Sequence, residues 1–358
     1  MSIERLRVGL IGYGYAGKTF HAPLIAAVPA LELAAVASSD AAKVRADWPG
    51  VAVQATPAEL IARDDLDLVV IATPNDTHHP LARDALRAGR NVVVDKPFTV
   101  ALADARELVA LARERGRLLS VFHNRRWDGD FLTLERLLAD GALGRVVEMT
   151  SRIDRWRPEV RQRWREGAGP GAGLWFDLGP HLVDQALQLF GPPRAIALER
   201  AGVRDGAQAD DWFHASLRYD RLHVHLQASM LATAIAPRFV LHGTRGSFVK
   251  HGFDAQEDAL KAGVRPVWPP QAGWGADPGK AVLVTCADDG RFVETPVATE
   301  RGAQQAYFAA VAAAIRGEAP NPVPPEEALA VMELIELGIR SAHERRELEW
   351  RIDGAPAR

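Results

Sequence analysis

The first turn of the chain constrains the fold more than any other feature. An apolar run typical of a buried strand, LRVGLI, leads directly into a glycine-rich turn, GYGYAG, that opens a helical segment. In such a turn Gly12 permits a tight bend, Gly14 lets the backbone approach a pyrophosphate, and Gly17 allows close packing of helix on strand. The helix N-terminus also offers unpaired N–H groups to phosphate. The pattern predicts dinucleotide contacts at Gly12, Gly14, Tyr15, Ala16 and Gly17; the alternative is a glycine-rich turn without a ligand.

Strand and helix patterns alternate throughout the first third of the chain. Further apolar runs predict strands at residues 31–37, 66–72, 91–94 and 118–121, with helices at 80–88 and 101–115. Gly89 follows the first of these helices and Gly116 follows the second, and glycine is common at helix C-termini. Alternation of this kind is typical of a parallel, doubly wound sheet. We therefore predict an α/β Rossmann domain that binds NAD(P) over residues 1–123.

Residues 124–358 have a different pattern. Short segments alternate between apolar and polar positions, and the stretches RYDRLHVHL, HGTRGSF and VTCADDGRFVE predict tight turns between paired strands. Strands without helices between them predict an antiparallel sheet, which can leave one face open. We therefore predict an α+β C-terminal domain with a large open antiparallel sheet, which binds substrate and through which the chain forms a homodimer or homotetramer. The predicted strands are residues 145–156, 194–201, 212–219, 222–230 and 238–249, and the predicted helices are 131–139, 303–315 and 325–344.

One stretch fits neither pattern. Residues 263–279 are rich in Pro, Gly and Trp, and we expect them to form a long loop.

Composition and charge exclude several classes of function. The 358 residues suffice for two domains at roughly 150 residues each, and the net charge of −3 gives no basis for binding nucleic acid or an anionic membrane. No apolar run approaches the ~20 residues needed to span a bilayer. The single cysteine, Cys286, permits neither a disulfide within the chain nor a thiol cluster for zinc. With no signal-peptide pattern at the start of the chain, these features favour a cytoplasmic protein.

The end of the second predicted strand bears on the choice between NADP and NAD. Ser38 and Ser39 are small hydroxyl residues, and Lys43 follows about one helical turn later. Hydroxyl donors and positive charge suit a 2′-phosphate better than a bare ribose hydroxyl, so the pattern favours NADP. Asp40 is the counter-indication, because an acid at this position selects NAD. A simple turn with a helix N-cap is the structural alternative.

Two further strand ends carry polar residues. Residues 73–78 follow one strand and residues 95–97 follow the next, and ligands in such sheets bind beyond the carboxyl ends of the strands. We therefore expect Lys96 to face the cleft, although a lysine here can also be an ordinary surface residue. The predicted cofactor contacts at these two ends are Thr73, Pro74, Asn75, His78, Lys96 and Pro97.

The stretch WFDLGPHLVDQAL places an acid and an imidazole at helical spacing. Asp177 and His181 are four residues apart, and Asp184, Gln185 and Gln188 continue the polar stripe. The pair can be metal ligands, a proton-transfer pair or a solvated helix face. Asp177 can also cap a helix that starts near residue 179. A metal site is the least favoured reading, because no third ligand is identifiable, and we predict no metal.

Five stretches in combination resemble one known family over nearly the whole chain. GYGYAGKTFHAPLI, TPNDTHHP, DKPFT, HNRRWDGDF and GPGAGLWFDLGPHLVDQ together are similar to the Gfo/Idh/MocA oxidoreductases, and most to the branch with NADP-dependent scyllo-inositol dehydrogenase. The resemblance implies a Rossmann domain followed by an open antiparallel sheet, through which members often dimerise. It also implies a cis Lys96–Pro97 peptide. The usual E-K-P of the family is D-K-P here, which changes only Asp95, a neighbour of the lysine.

The resemblance assigns Lys96, Asp177 and His181 to one catalytic centre. General chemistry supports this assignment, since oxidation of a secondary alcohol needs a base for the hydroxyl proton, and histidine is suited to that role. Asp177 would orient the imidazole and stabilise its charged form, and Lys96 would stabilise developing alkoxide charge. The redox step itself belongs to the nicotinamide.

Substrate contacts are expected on both sides of the domain junction. Arg126 and Trp127 lie at the junction, beside Asn124, which we expect to contact the cofactor. Asp154 matches a position that contacts substrate hydroxyls in inositol dehydrogenases. Charged side chains beside an indole suit a polyol, with Lys96, Asp177 and His181 completing the site. The alternative for Asp154 is a surface salt bridge.

These features favour an NADP-dependent dehydrogenase of a cyclic polyol or sugar, with an inositol-like substrate. One alternative is a glycosidase that uses a tightly held nicotinamide as an internal redox relay. Another is a non-catalytic, cofactor-binding regulator of the same fold.

Overall fold

The structure is a computed structural model that describes residues 4–234 and 236–351. The outer ends of the two predicted domains, residues 1–3 and 352–358, lie outside this range. The chain folds as two compact units, each assembled from separate segments that follow packing rather than chain order. The first unit contains residues 4–128, 254–276 and 301–330, and the second contains residues 129–253, 277–300 and 331–351. The predicted division into domains after residue 123 stays a prediction.

The first unit is built on a parallel sheet. Its strands are β1 Leu6–Ile11, β2 Leu31–Ala37, β3 Ala52–Gln54, β4 Leu68–Ile71, β5 Asn91–Val94 and β6 Leu119–Val121. Among the described residues these six strands pair in the order β3-β2-β1-β4-β5-β6, and all of them are parallel. The side chains of β4 are fully buried, as is typical of a strand with both faces covered. The order reverses between β1 and β4, which confirms the predicted doubly wound Rossmann sheet.

The five helices for which the sequence predicted bounds lie close to their predicted positions. In chain order, the α-helices of the described residues are α1 Ala22–Ala26, α2 Ala41–Asp47, α3 Pro57–Ile61, α4 His78–Arg87, α5 Leu102–Arg115, α6 Gly129–Ala139, α7 Leu174–Phe190, α8 Gln256–Lys261, α9 Gln305–Ile315 and α10 Pro325–Glu344. A π-helix, Gly17–His21, precedes α1, and 3-10 helices span Asn75–Thr77, Asn124–Trp127 and Trp164–Glu166. Helix α5 ends at Gly116, whose left-handed backbone conformation explains the glycine there. Over the part of the chain that is described, no helix has the length and apolar character needed to cross a membrane.

The second unit is built on a larger sheet. Its strands are β7 Val146–Asp154, β8 Ala195–Ala201, β9 Trp212–Arg218, β10 His223–Ser229, β11 Phe239–Gly243, β12 Gly246–Lys250, β13 Ala281–Cys286, β14 Phe292–Pro296 and β15 Leu348–Glu349. In the described ranges they pair in the order β14-β13-β12-β11-β7-β10-β9-β8-β15. In β9, alternate residues are buried and half-buried, which is typical of a sheet with one face on the core.

The prediction of a purely antiparallel sheet is wrong at one place. Strands β7 and β10 pair in parallel, with Glu148 opposite His223 and Asp154 opposite Ser229. After β7 the chain passes through α7 before it returns to the sheet, so a helix does lie between strands of this sheet. A connection of that length permits parallel pairing, whereas a tight turn does not. The sheet is therefore mixed, and the predicted fold class is otherwise confirmed.

Helix α7 is held on the sheet by one large aromatic side chain. Trp175 is fully buried, its ring meets the edge of Phe213 in β9 at a centroid distance of 5.0 Å, and its indole N–H donates to the Ile335 carbonyl at 3.1 Å. Gly179 leaves room for this indole, since a Cβ there would lie 2.8 Å from the Trp175 ring. These contacts fix the position of the helix that carries Asp177 and His181.

Candidate functional site

The glycine turn after β1 has the geometry that a dinucleotide requires. Gly12 has a φ of 96°, and a Cβ there would lie 2.5 Å from the Ala72 carbonyl oxygen. A Cβ on Gly17 would overlap the Gly12 carbonyl. A Cβ on Gly14, by contrast, would meet nothing within 4 Å, so the space in front of this residue is open. Two glycines are thus required by the fold, and the third leaves room for a ligand against the backbone; the residues fit a bound pyrophosphate.

The turn between β2 and α2 places the residues predicted to choose the cofactor. Asp40 caps α2, because its carboxylate accepts a hydrogen bond from the Lys43 N–H at 2.9 Å. Ser38 Oγ accepts from the Asp40 N–H at 3.1 Å, while Ser39 is exposed. The Lys43 ammonium donates to the Tyr13 carbonyl at 3.1 Å, which joins α2 to the glycine turn. The structure therefore gives Asp40 a structural role, and the preference for NADP stays a prediction.

The loops after β4 and β5 are tied together by one imidazole. His78 is fully buried, with Nδ1 2.8 Å from the Pro97 carbonyl and Nε2 3.0 Å from the Thr73 carbonyl. Burial lowers the pKa of His78, and a neutral ring donates through only one of its two nitrogens. Pro74 and Asn75 lie in the same loop, and Asn75 is buried. His78 thus lies between the backbones of both loops and donates to one of the two carbonyls, and its contact with cofactor stays a prediction.

A buried carboxylate lies next to Lys96. Asp95 is buried, and its Oδ1 is 3.5 Å from His21 Nε2, an electrostatic contact longer than an ordinary hydrogen bond. Burial by itself raises the pKa of Asp95, but the contact with His21 and the charge of Lys96 outweigh it and hold this pKa at about 2. The Lys96–Pro97 peptide is cis, and Lys96 is half-buried. The acid that replaces the glutamate of the E-K-P pattern is therefore charged and fixed in place.

The 3-10 helix Asn124–Trp127 is also in the first unit. Arg126 is 9% exposed, and its Nη1 donates to the Glu327 carboxylate at 2.6 Å. Trp127 packs edge-on against Tyr307 at 5.4 Å, and Asn124 is buried. Much of the positive charge of Arg126 is thus offset by Glu327, so as a substrate contact it would offer directed N–H groups more than net charge.

In the second unit, the candidate catalytic pair lies near the start of α7. This helix begins at Leu174 and continues through Pro180, so the alternative in which Asp177 caps a helix starting near residue 179 is wrong. The cap is Asp210, whose carboxylate accepts from the Trp175 N–H at 2.7 Å and from Arg200 Nη1 at 3.0 Å. Asp177 is half-buried one turn before His181, which is 5% exposed.

Most of the polar stripe of α7 is not a solvated face: Asp177 is half-buried, His181, Asp184 and Gln185 are buried, and Gln188 at the far end is exposed. Asp184 is 2% exposed and Gln185 is fully buried, where its side-chain oxygen accepts from Arg238 at 2.8 Å. Asp177 Oδ1 lies 3.6 Å from Arg165 Nε, so a cation accompanies the acid. Burial of this many polar groups is costly unless each is used, which favours a chemical or positioning role for the stripe.

Asp154 ends β7 and is not a simple surface residue. It is 8% exposed, and burial raises its pKa, partly offset by Arg152 at 3.8 Å and by the Ser229 backbone. A surface salt bridge does not describe this environment. In the described ranges, no three or more His, Cys, Asp or Glu side chains are grouped in a way that could hold a metal ion.

The structure joins some of the predicted site residues within one unit and assigns others to different units. The glycine turn and Lys43 are joined by hydrogen bonding, and the loops that carry Thr73 and Pro97 are joined through His78. Asp177 and His181 share α7 in the second unit, whereas Lys96 belongs to the first, so their common site stays a prediction. Sequence reasoning missed two supporting residues, His21 and Asp210. Both act across long separations in sequence, which local patterns do not reveal.

Two models of one protein family match the N-terminal and the C-terminal parts of the chain. The Gfo/Idh/MocA model described as an oxidoreductase family with an NAD-binding Rossmann fold matches residues 6–123. The companion model, described as the C-terminal alpha/beta domain of the same oxidoreductase family, matches residues 135–350.

Relatives and solved structures agree with this match. The chain is 55% identical to the uncharacterized oxidoreductase YdgJ of Escherichia coli, over 96% of this chain and 99% of that protein. It is 35% identical to the scyllo-inositol 2-dehydrogenase (NADP(+)) IolW of Bacillus subtilis, over 97% of this chain and 96% of that protein. The solved structure of YPO2259 from Yersinia pestis superposes with a TM-score of 0.93 at 53% identity, covering 98% of this chain and 99% of the other.

Proposed function

Because the chain belongs to the Gfo/Idh/MocA oxidoreductase family, we propose that it is an NADP-dependent dehydrogenase of a cyclic polyol or sugar. The observation that carries the proposal is the pair Asp177 and His181, on successive turns of α7 with His181 buried beside the polar stripe. An inositol-like substrate is favoured, because the relative named as a scyllo-inositol dehydrogenase is similar over nearly the full chain.

The first unit supplies the cofactor site of the proposal. The open space at Gly14 accepts the pyrophosphate, and Ser38, Ser39 and Lys43 receive the 2′-phosphate of NADP. When bound, the nicotinamide accepts hydride from the substrate carbon. Thr73, Asn75 and Pro97 line the way to the nicotinamide end, with Lys96 beside them.

The proton is handled by the side chains of the chain itself. In the proposed reaction a His181 ring nitrogen takes the proton of the substrate hydroxyl as hydride leaves the same carbon. Asp177 stabilises the imidazolium that forms, and the Lys96 ammonium donates to the oxygen as its negative charge develops. Both electrostatic interactions are stronger where water is excluded, and His181 is buried.

In the proposed site, two polar side chains bind the hydroxyls of the substrate and one aromatic side chain packs against its ring. Asp154 accepts from substrate hydroxyls, Arg126 donates to them, and Trp127 offers its indole to the apolar face of a ring. Burial raises the pKa of Asp154, because the charged carboxylate loses its contacts with water. Hydrogen bonds from substrate hydroxyls would replace those contacts and stabilise the charged form. A cyclic polyol, which presents many hydroxyls around a ring, suits this set.

The test is a substrate panel of inositols and aldoses, followed at the nicotinamide absorbance with NADP and with NAD. We expect reduction of NADP with at least one cyclic polyol or sugar. Hydrolysis of a glycoside without net formation of NADPH would replace this function by that of a nicotinamide-assisted glycosidase. Tight cofactor binding with no turnover across the panel would favour a cofactor-binding regulator. The cytoplasmic location and the homo-oligomer remain parts of this proposal.

A further inference from the structure

The segment 254–276, which we call the strap, packs within the first unit although its neighbours in sequence belong to the second. It comprises α8 and most of the predicted loop 263–279. The strap contacts the glycine turn directly, since the Tyr15 hydroxyl donates to Glu257 at 3.0 Å. Arg125 also donates to Glu257, at 3.2 Å. The strap therefore lies against the residues that would hold the pyrophosphate.

The strap is anchored at both ends of its loop. Trp274 is buried, and its indole N–H donates to Gln256 at 3.1 Å. The Gln305 amide donates to the Val267 carbonyl at 3.1 Å. The same Gln256 donates to the Trp127 carbonyl at 3.1 Å, which joins the strap to the 3-10 helix Asn124–Trp127. Because these hydrogen bonds fix the backbone of the loop, its other side chains also have defined positions.

Arg265 is the side chain that the strap presents to α2. Its guanidinium carbon lies 4.1 Å from the ring centroid of Trp48, the residue that directly follows α2. Arg265 is exposed, and within the described residues its side chain makes no hydrogen bond and no ion pair. A guanidinium stacked on an indole keeps its N–H groups at the edge, where they remain available to another acceptor.

The surroundings of Arg265 carry more positive than negative charge. Lys18 forms an ion pair with Asp47 at 2.8 Å, and the Lys43 ammonium lies 5.8 Å from the Tyr13 ring. Burial raises the pKa of Asp47, but Lys18, Tyr13 and Arg265 together lower it below its usual value. Two cations, Lys18 and Arg265, thus act on the Asp47 carboxylate, and Lys43 lies over the ring of Tyr13, whose hydroxyl donates to that carboxylate. Asp40, at the opposite end of α2, caps the start of that helix.

We infer that Arg265 is a cofactor-specificity residue, supplied by the strap to bind the 2′-phosphate of NADP together with Ser38, Ser39 and Lys43. The inference rests on the proposed function, which places that phosphate beside Lys43. A phosphate at this position would meet a planar donor group held by Trp48, and arginine is well suited to phosphate. NAD has only a hydroxyl there and gains nothing from the cation.

The test measures binding and not turnover. NADPH and NADH are titrated into the wild-type protein and into Arg265→Ala, with nicotinamide fluorescence as the readout, and 2′,5′-ADP and 5′-AMP are compared by calorimetry. For Arg265→Ala we expect roughly 10- to 100-fold weaker binding of NADPH and 2′,5′-ADP, the range for loss of charge-assisted hydrogen bonds. Binding of NADH and 5′-AMP should change less than about 3-fold. Arg265→Lys should recover part of the loss, because the charge is kept without the planar fork.

Arg291→Ala is the matched control, because Arg291 is an exposed arginine paired with Asp289 on a hairpin of the second unit. It should leave all four affinities unchanged. Equal weakening of NADPH and NADH by Arg265→Ala, or weakening of neither, overturns the inference while the proposed function stands. A wild-type protein that binds NADH more tightly than NADPH overturns both the NADP assignment and the inference. Arg265→Gln, which keeps a polar side chain of similar reach, serves as the second neutral variant and should match Arg265→Ala.

Discussion

Asp210 accepts a hydrogen bond from the Trp175 N–H at 2.7 Å and thereby caps α7 from a position 35 residues away in sequence. The residue at the cap position itself is Gly173, which has no side chain to offer and a φ of 96°. A Cβ on Gly173 would overlap the Asp210 carboxylate, so the glycine makes room for the distant cap. Asp177 and His181 lie within the first two turns of this helix, so its capped end helps to set where they stand.

Removing this cap should loosen the candidate catalytic helix. Asp210→Ala leaves the Trp175 N–H and Arg200 without their acceptor, and we expect a loss of about 1 kcal/mol in the free energy of unfolding. Turnover should fall as well, since the start of α7 carries Asp177. Asp210→Asn keeps an acceptor and should lose less. Urea denaturation and steady-state kinetics check this, with the exposed Asp205→Ala as control. Equal stability of Asp210→Ala and the wild-type protein would show that the cap contributes nothing.

Cofactor preference should depend on the end of β2. Ser38→Asp puts an anion where the proposal places the 2′-phosphate, so we expect it to weaken NADP binding and reverse the preference in favour of NAD. Titration of both cofactors is the measurement. Asp40→Asn is the matched variant, because asparagine still caps a helix and the negative charge is lost. Tighter binding of NAD than NADP by the wild-type protein, abolished by Asp40→Asn, would identify Asp40 as the ribose ligand instead.

Local patterns were sufficient for the start of the first unit. Strand β1 and the glycine turn are recognisable because an apolar run and three glycines at fixed spacing lie within twelve residues, and the structure follows them. The cap on α2 is equally local, with Asp40 three residues before Lys43. Where a structural element and the residues that determine it lie in the same short stretch, the sequence is sufficient to predict that element.

Contacts between residues far apart in sequence could not be predicted from such local patterns. The parallel pairing of β7 with β10 joins segments about 75 residues apart, and nothing within either strand distinguishes it from an antiparallel pairing. The same holds for the cap from Asp210 and for His21 beside Asp95. Single side chains of these types are common, and only the fold shows which partner each one meets.

Asp95 should make the protein sensitive to acid. Its pKa is about 2 in the folded protein, below the ~3.9 of an unfolded chain, so the charged form stabilises the fold. This stability is present above about pH 4 and is lost as the pH falls towards 2, with a magnitude of roughly 2 kcal/mol. Urea denaturation between pH 2.5 and 7 should therefore show a steeper acid loss for the wild-type protein than for Asp95→Asn. Parallel curves for the two proteins, with exposed Asp205→Asn as the reference, would contradict the assignment of this pKa.

The open face of the second sheet should be an interface between copies of the chain. Phe213 faces the core beside Trp175, while Trp212, His214 and Ser216 on the same strand alternate to the other side and stay half-buried. We expect light scattering to give a dimer or tetramer of the 38.9 kDa chain at micromolar concentration. Ser216→Arg places a long cation on this face and should shift the mass towards the monomer. Glu114→Arg, an exposed change on α5 of the first unit, should not. A monomeric wild-type protein would refute the prediction.

The proton-transfer role of His181 predicts how substitutions divide between turnover and binding. His181→Ala should lower turnover by about 10²- to 10⁴-fold, the usual contribution of one proton-transfer group, while cofactor affinity is retained because the glycine turn lies in the other unit. Lys96→Ala should also act mainly on turnover. Asp177→Asn keeps the shape of the side chain and removes the charge that supports the imidazolium, so it should slow the reaction less than His181→Ala.

The pH dependence of His181 gives an independent readout of the same role. A base must be unprotonated to accept the hydroxyl proton, so alcohol oxidation by the wild-type protein should rise with pH. This rise should disappear from the residual activity of His181→Ala. His251→Ala is the matched control, since His251 is an exposed histidine of the second unit, and it should keep both turnover and the pH profile. If His181→Ala is folded, binds cofactor and retains near-full turnover on a substrate from the panel, then α7 carries a buried polar stripe without a catalytic base. The proton acceptor would then have to be sought at Lys96.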